Sequence, residues 1–297
     1  MATFSFRLRV TNDSCHSLIV TTANKLGAIK LPPRGSSSLG IFSRYDGNII
    51  GGSLLGAGMM LSGACPGTVL AQVGVGISSG IYALMGATLG GVAWTGYLKP
   101  VLSRSCPKPT AEEEAKQKLT VHETLGVSKS FVFLAFEAMC VAVIASAALF
   151  TTVGPEAKIP PVVGGSLIGL AQLLSLLLRR KLLGTSTSYE EVGGWFLGLL
   201  KGKGFPEKYS TMLLALGMIS GARILASTVP KFAQFTNVTV SPLAAGLGGF
   251  LMIIGSRLAG GCTSGHGISG ISLFSMSSFL TIGCAFATGG LIGLLQG

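Results

Sequence analysis

The sequence predicts an all-α, polytopic helical membrane protein, and its composition, one long uncharged stretch and its glycine content support this fold class. Hydrophobic residues occupy 48% of the 297 positions and charged residues only 11%, a balance unlike that of soluble domains. Residues 47–98 contain no Asp, Glu, Lys or Arg, which is enough chain for more than two crossings of about 20 residues each. Glycine fills 44 positions, often four residues apart, and such pairs let helices approach closely in lipid.

Apolar runs predict where the membrane helices lie along the chain. Seven runs are predicted to cross the membrane, at residues 48–61, 77–98, 131–153, 161–178, 209–229, 241–258 and 275–295. A half-helix from Pro66 to about Val75 is predicted after the first run, because proline suits the first turn of a helix. Residues 193–200 are apolar but too few to cross, so they are predicted to lie at the membrane interface.

The basic residues predict the orientation of the chain. Of the 22 Lys and Arg residues, 18 fall in the N-terminal segment and in the loops after the second and fourth crossings, whereas the opposite loops contain only Lys158 and Lys231. This asymmetry predicts an integral membrane protein with a cytoplasmic N-terminus, by the positive-inside rule. It also accounts for most of the net charge of +11, so no nucleic-acid partner is expected.

The chain contains an internal repeat with a shift of 197 residues. Seven of eighteen positions are identical between residues 48–65 and 245–262, and the last identity pairs Cys65 with Cys262. Each copy has an apolar helix, a break of small residues and one cysteine, a pattern typical of transporters built from inverted repeats. The first crossing runs outward and the sixth inward, so the copies are predicted to be inverted. Their breaks are then predicted to meet at a central permeation site.

The two breaks supply the candidate site residues. The N-terminus of a half-helix presents free N–H groups that suit an anion, with Thr263 or Ser264 as the cap of the second half-helix. Glycines there let the backbone approach a ligand closely. A thiol binds soft sulfur without holding it tightly, which a permeating solute requires. The predicted binding residues are Cys65, Cys262, Gly63, Gly67, Gly261, Ser264, Gly265, His266 and Arg257.

Several of these residues have plainer alternative roles. The cysteines would otherwise be small apolar core residues. His266 could donate to an anion or carry a proton, but a structural hydrogen bond at a turn explains it equally well. Arg257 is either a functional intramembrane charge or a long side chain that reaches the interface. The six cysteines form no CxxC pair, so no zinc site, and no cofactor, is expected.

The two cysteine segments, GGSLLGAGMMLSGACPGTVLAQVG and GGFLMIIGSRLAGGCTSGHGISG, resemble the paired signatures of the YeeE/YedE sulphur-transport family. The best-understood members of that family take up thiosulfate. The resemblance runs from about residue 48 to the C-terminus and implies an hourglass of short helices around a cysteine-lined constriction. By position, Cys65 and Cys262 match the two central cysteines of the family.

Family members also have an N-terminal membrane hairpin, and residues 1–46 are too polar for one. The expected organisation is therefore a polar N-terminal segment, residues 1–46, followed by a membrane transport domain, residues 47–297. Within that domain the first repeat is expected at about 47–98 and the second at about 241–297.

The leading functional hypothesis is a transporter or channel for a small inorganic sulphur anion, with thiosulfate as the expected substrate. The expected partners are this anion and the lipid bilayer, and a cytoplasmic sulphur-accepting protein is a further candidate. The alternatives are a permeation protein for another small solute, a non-transporting remnant, and a membrane sulfurtransferase or thiol redox protein that uses Cys262. The last alternative would need a depressed thiol pKa, which a helix N-terminus and His266 could supply.

Overall fold

A computed structural model describes residues 32–105, 118–150, 159–202, 209–229, 232 and 240–296. Lys158, Lys231 and residues 1–31 lie outside this part of the chain. Regular structure in the described part is helical, and β-pairing there is limited to one isolated bridge between Thr120 and Ser275. The helices are α1 (Asp46–Ser62), α2 (Pro66–Val75), α3 (Ser78–Ala93), α4 (Lys99–Ser105), α5 (Val121–Leu125), α6 (Lys129–Phe150), α7 (Pro161–Arg179), α8 (Ser186–Leu200), α9 (Ser210–Thr228), α10 (Pro242–Leu258) and α11 (Met276–Gln296). A first π-helical segment spans Trp94–Leu98 and a second spans Thr263–Gly270.

The apolar helices confirm an all-α polytopic membrane protein. Five spans of the described chain are long and apolar enough to cross a membrane, and α10 with the second π-helical segment, bent by 46°, makes a sixth when the pair counts as one. The five are Asp46–Val75, Lys129–Ser146, Val162–Arg179, Ser210–Thr228 and Met276–Leu295. The prediction of seven crossings differs from the spans of the structure at residues 77–98. There α3 has only 16 residues and is followed by π-helical turns. Alone, α3 is shorter than the roughly 20 residues of a full span.

Helices α1 and α10 cross in direct backbone contact at two pairs of glycines. A Cβ atom added to Gly51 would lie 2.6 Å from the carbonyl oxygen of Gly255, and one added to Gly58 would lie 2.6 Å from that of Gly248. Residue numbers therefore increase along α1 while those of the contacted residues decrease along α10, so the two helices are antiparallel. A shift of 197 residues turns Gly51 into Gly248 and Gly58 into Gly255, so the two contacts are equivalent. An approximate two-fold axis between the helices relates them, as expected for inverted repeats.

The same approximate symmetry extends to α3 and to α11. Gly249 of α10 packs against Ala87 of α3, whereas Gly52 of α1 packs against Cys284 of α11. Gly249 is the counterpart of Gly52, and Cys284 is the counterpart of Ala87, at the 197-residue shift. Small residues at each of these crossings allow the close backbone approach that stabilises helix pairs in lipid.

The described chain belongs to two compact units. The first comprises residues up to Gly35, Lys116–Leu183 and Gly265–Phe279, and the second comprises Ser36–Ala115, Gly184–Ser264 and Leu280–Gly297. In the first unit the ring of Phe274 packs edge to face on that of Phe136, with centroids 5.5 Å apart. In the second unit the buried core includes Leu55, Val69, Met252 and Ile253.

The polar stretch 32–38 is hydrogen-bonded to residues that are distant in sequence. Within the first unit, the backbone N–H of Arg34 donates to the Ser275 hydroxyl at 2.6 Å. Within the second unit, the Ser37 hydroxyl donates to the Leu258 carbonyl at 2.5 Å, and the Ser37 N–H donates to Asn48 Oδ1 at 2.8 Å. The contacts with Ser275 and Leu258 span more than 200 positions, so the local sequence does not indicate them.

Candidate functional site

The first break has the geometry of a helix end followed at once by a helix start. Gly63 terminates α1 in the left-handed region, with φ of 64°, where glycine is favoured because it has no Cβ. Cys65 then adopts an extended conformation as the N-cap of α2. Its half-buried thiol accepts from the backbone N–H of Thr68 at 3.4 Å, and its own N–H donates to the Thr68 hydroxyl at 2.6 Å. The half-helix α2 begins at Pro66 and ends at Val75, as predicted.

The second break repeats the first in backbone conformation but differs in the segment after its cysteine. Gly260, the counterpart of Gly63, is also left-handed, with φ of 83°. Gly261 comes next and donates its N–H to the Ser256 carbonyl at 2.7 Å, and Cys262 has no exposed surface. The predicted half-helix is the π-helical segment that starts at Thr263, whereas the first break leads into the α-helix α2.

The buried thiol of Cys262 lies in a cluster with two hydroxyl groups. Its sulfur is 3.1 Å from Ser264 Oγ and 3.5 Å from Thr185 Oγ1, and the two hydroxyl oxygens are 3.4 Å apart. The backbone N–H of Thr185 donates to Ser264 Oγ at 3.2 Å. Ser264, predicted as a helix cap, therefore bonds to the residue that precedes α8 as well as to the cysteine.

The start of α8 also contacts the first break. The Tyr189 hydroxyl, buried with the rest of its side chain, donates to the carbonyl of Pro66 at 2.7 Å. A Cβ added to Gly67 would lie 3.6 Å from the Thr185 side chain. Thr185 and Tyr189 are four positions apart and so share one face of the helical turn. One turn of chain thus contacts both cysteine breaks.

Tyr189 lies within electrostatic range of both thiols. Burial raises the pKa of the Tyr189 hydroxyl above its ordinary value, and the nearby Cys65 and Cys262 groups raise this pKa further. The phenol therefore stays neutral at physiological pH and acts as a hydrogen-bond group rather than as a charge.

Glu190, the next residue of α8, bridges two cations. It forms an ion pair with Arg257, and its other carboxylate oxygen is 2.6 Å from Lys99 Nζ. The Arg257 and Glu190 side chains are mostly buried and that of Lys99 is exposed. Two cations and one anion leave the group with one net positive charge. Arg257, predicted to bind the anion, therefore shares its charge with a carboxylate.

Two predicted site residues belong to the first unit. His266 is buried, and its Nδ1 atom is 2.8 Å from the Ser278 hydroxyl. This contact is a hydrogen bond of the kind expected if His266 has a structural role. A Cβ added to Gly265 would lie 3.0 Å from a terminal nitrogen of Arg34, so the absence of a side chain there makes room for a guanidinium group. In the described residues no group of three His, Cys, Asp or Glu side chains could hold a metal ion.

Sequence reasoning missed Thr185, Tyr189, Glu190 and Arg34. One signal was available, because four successive hydroxyl residues, 185–188, precede Tyr189 at the start of an apolar helix. Such a polar start within a membrane protein indicates contacts to other polar groups. Arg34 had no comparable signal, since it lies in a stretch rich in Pro, Gly and Ser.

The fold defines the class of protein: a polytopic helical membrane protein with two inverted helical repeats, each of which carries a cysteine at a break. A family model described as sulphur transport matches residues 7–292, and the chain belongs to that family. It is 28% identical over 301 residues to the thiosulfate transporter TsuA of Spirochaeta thermophila, which covers 93% of this chain and 83% of that relative. It is also 31% identical over 134 residues to a probable transporter of Xylella fastidiosa, which covers 43% of this chain and 91% of that relative.

Proposed function

We propose that this protein is a transporter or channel that moves a small inorganic sulphur anion, thiosulfate, across the membrane past Cys65 and Cys262. The observation that supports this most is the turn of Thr185 and Tyr189, which contacts both cysteine breaks. The two cysteines of the repeat are therefore parts of one neighbourhood. One relative named above is a thiosulfate transporter, which supports this substrate, and another is a probable transporter, which supports transport only.

The chemistry of the neighbourhood suits a permeating anion. Thiols and hydroxyls are neutral donors, so they can replace part of the hydration shell of an anion without the strong hold of a salt bridge. The terminal sulfur of thiosulfate is soft and polarisable, as a thiol is. The net positive charge of Lys99, Glu190 and Arg257 would raise the local anion concentration. The proposed site comprises Cys65, Cys262, Gly63, Gly67, Gly261, Ser264 and Arg257, all of the second unit. Gly265 and His266, in the first unit, stay predicted binding residues.

Uptake by vesicles tests the proposal. The full chain is reconstituted in liposomes and the uptake of radiolabelled thiosulfate is measured for the natural protein and for Cys65→Ala, Cys262→Ala and both together. Each single variant is expected to lose most uptake, and the double variant to lose little more, because one block suffices in a single path. Each single variant is expected to lose about 0.5–3 kcal/mol of stability, the common range for point mutants.

A matched control and a serine series sharpen the test. Cys140 is a buried cysteine in α6, outside both breaks, so Cys140→Ala is expected to leave uptake unchanged. Cys262→Ser keeps a donor of similar size but replaces soft sulfur with oxygen, so a loss of uptake in this variant would assign the role to sulfur. Normal uptake in both the alanine and the serine variants of Cys65 and Cys262 would refute the proposal.

The sulfurtransferase hypothesis makes a different prediction. A membrane sulfurtransferase would transfer the terminal sulfur of thiosulfate to its cysteine and release sulfite, whereas a transporter delivers thiosulfate intact. Thiosulfate labelled separately in its two sulfur atoms distinguishes the reactions, because only transport delivers both labels together.

A further inference from the structure

Thr185, Cys262 and Ser264 form a closed ring of hydrogen-bonding groups. The three distances between their side-chain atoms are 3.5, 3.1 and 3.4 Å. Each of the three groups has one proton to donate and lone pairs to accept. The three protons are enough for the three contacts if each group donates to one neighbour and accepts from the other. This pattern can run in either direction around the ring.

Thr185 is anchored by its own backbone and by the residues that follow it in the chain. Its backbone N–H donates to Ser264 Oγ, which fixes the distance between the two residues. Four positions later, Tyr189 is tied to the first break through the Pro66 carbonyl. The adjacent Glu190 is tied to Arg257 of α10. These contacts fix the position of the threonine hydroxyl relative to the cysteine sulfur.

The ring differs in kind from the basic residues nearby. Its donors carry no formal charge, so they can turn together toward an acceptor without breaking an ion pair. Arg257, by contrast, is already paired with Glu190, and an anion that used its guanidinium would compete with a carboxylate. Binding by neutral donors is also weak enough to permit release.

We propose that Thr185 is a positioning residue that directs the S–H of Cys262, and that the thiol and the two hydroxyls of this ring together contact the transported sulphur anion. This inference rests on the proposed function, because it requires that the anion passes Cys262. When the anion enters, the two hydroxyls and the thiol turn their protons from one another to the anion. No bond is made or broken beyond hydrogen bonds.

Three variants of the full chain test the role of Thr185 in thiosulfate uptake by liposomes. Thr185→Val keeps the shape and removes the hydroxyl, and it is expected to raise the KM for uptake about fivefold, the effect of one lost hydrogen bond, with Vmax little changed. Thr185→Ser restores the hydroxyl and is expected to stay within about twofold of the natural protein. Thr187→Val is the matched control, because Thr187 lies in the same turn but is exposed, and its KM should not change.

The reactivity of Cys262 gives a second readout that a purely structural role would not move. The rate of alkylation of Cys262 by iodoacetamide is followed against pH, by mass spectrometry of the peptide that contains it. Loss of the hydroxyl removes a donor to the thiolate, so the midpoint should move to higher pH in Thr185→Val. The midpoint should return toward its natural value in Thr185→Ser.

Two results would overturn the inference, and they are distinguishable. If Cys262→Ala blocks uptake while Thr185→Val matches Thr187→Val in both KM and alkylation midpoint, the cysteine path stands and the positioning role is wrong. If Cys262→Ala transports normally, the proposed path is wrong and the role of Thr185 falls with it.

Discussion

A single methyl group on Gly193 should displace the turn that contacts both cysteine breaks. Gly193 of α8 lies against the backbone of Gly91 in α3, and an added Cβ would be 2.5 Å from the Gly91 carbonyl carbon and 2.8 Å from the nitrogen of Val92. Both are backbone atoms, which cannot move aside as a flexible side chain can. The Gly193→Ala variant must therefore separate α8 from α3, and because α8 is a stiff helix, Thr185 should move with it.

The two adjacent glycines of α8 differ in the cost of an added methyl group. Overpacking of the kind expected at Gly193 costs about 1–3 kcal/mol. The neighbouring Gly194 has no atom within 4 Å of an added Cβ, so Gly194→Ala should be neutral or should gain up to about 1 kcal/mol from the better helix propensity of alanine. The two substitutions should thus differ by about 1–4 kcal/mol in the free energy of unfolding.

Thermal unfolding in detergent and thiosulfate uptake by liposomes measure the two consequences. Gly193→Ala should unfold at a lower temperature than Gly194→Ala, and its KM for uptake should rise, because the hydroxyl of Thr185 no longer meets Cys262 at hydrogen-bond distance. Equal unfolding temperatures and equal KM values for the two variants would refute the argument that this glycine contact positions the site.

Three further predictions use other contacts. Glu190→Gln leaves Lys99 and Arg257 without their shared carboxylate and should lower the KM for anion uptake severalfold, whereas Arg257→Gln should raise this KM. Both effects should shrink at high salt. Equal KM values for the two variants would exclude a role for this charge. Gly58→Ala places a Cβ 2.6 Å from the carbonyl oxygen of Gly248 in α10. This overpacking should reduce the free energy of unfolding by about 1–3 kcal/mol and so lower the unfolding temperature. Gly217→Ala is the control, because an added Cβ there has no atom within 4 Å, and its unfolding temperature should not fall. A cysteine placed at position 203, outside the described residues, should react with an impermeant reagent only from the cytoplasmic side, and labelling from outside would contradict the predicted orientation.

The sequence alone was sufficient for the fold class, the repeat and the two breaks, because each of these depends on local chemistry. Long uncharged stretches identify membrane helices whatever their partners are. Pro66 and Gly63 mark a helix start and a helix end by their own backbone preferences, and the structure has α2 begin at Pro66. The equal shift between Cys65 and Cys262 was visible without any contact, and the antiparallel glycine crossing of α1 and α10 confirms the inverted arrangement.

Only the tertiary structure decided which residues surround the cysteines. Thr185 is 77 positions from Cys262, and Tyr189 is 123 positions from Pro66, so no local pattern links them. The ion pair of Arg257 with Glu190 was hidden for the same reason, since a charge in a membrane helix indicates that a partner exists but not which one. The packing of α8 against α3 at Gly91 and Gly193 fixes these neighbours, because contacts between distant segments depend on how whole helices pack rather than on the preferences of single residues.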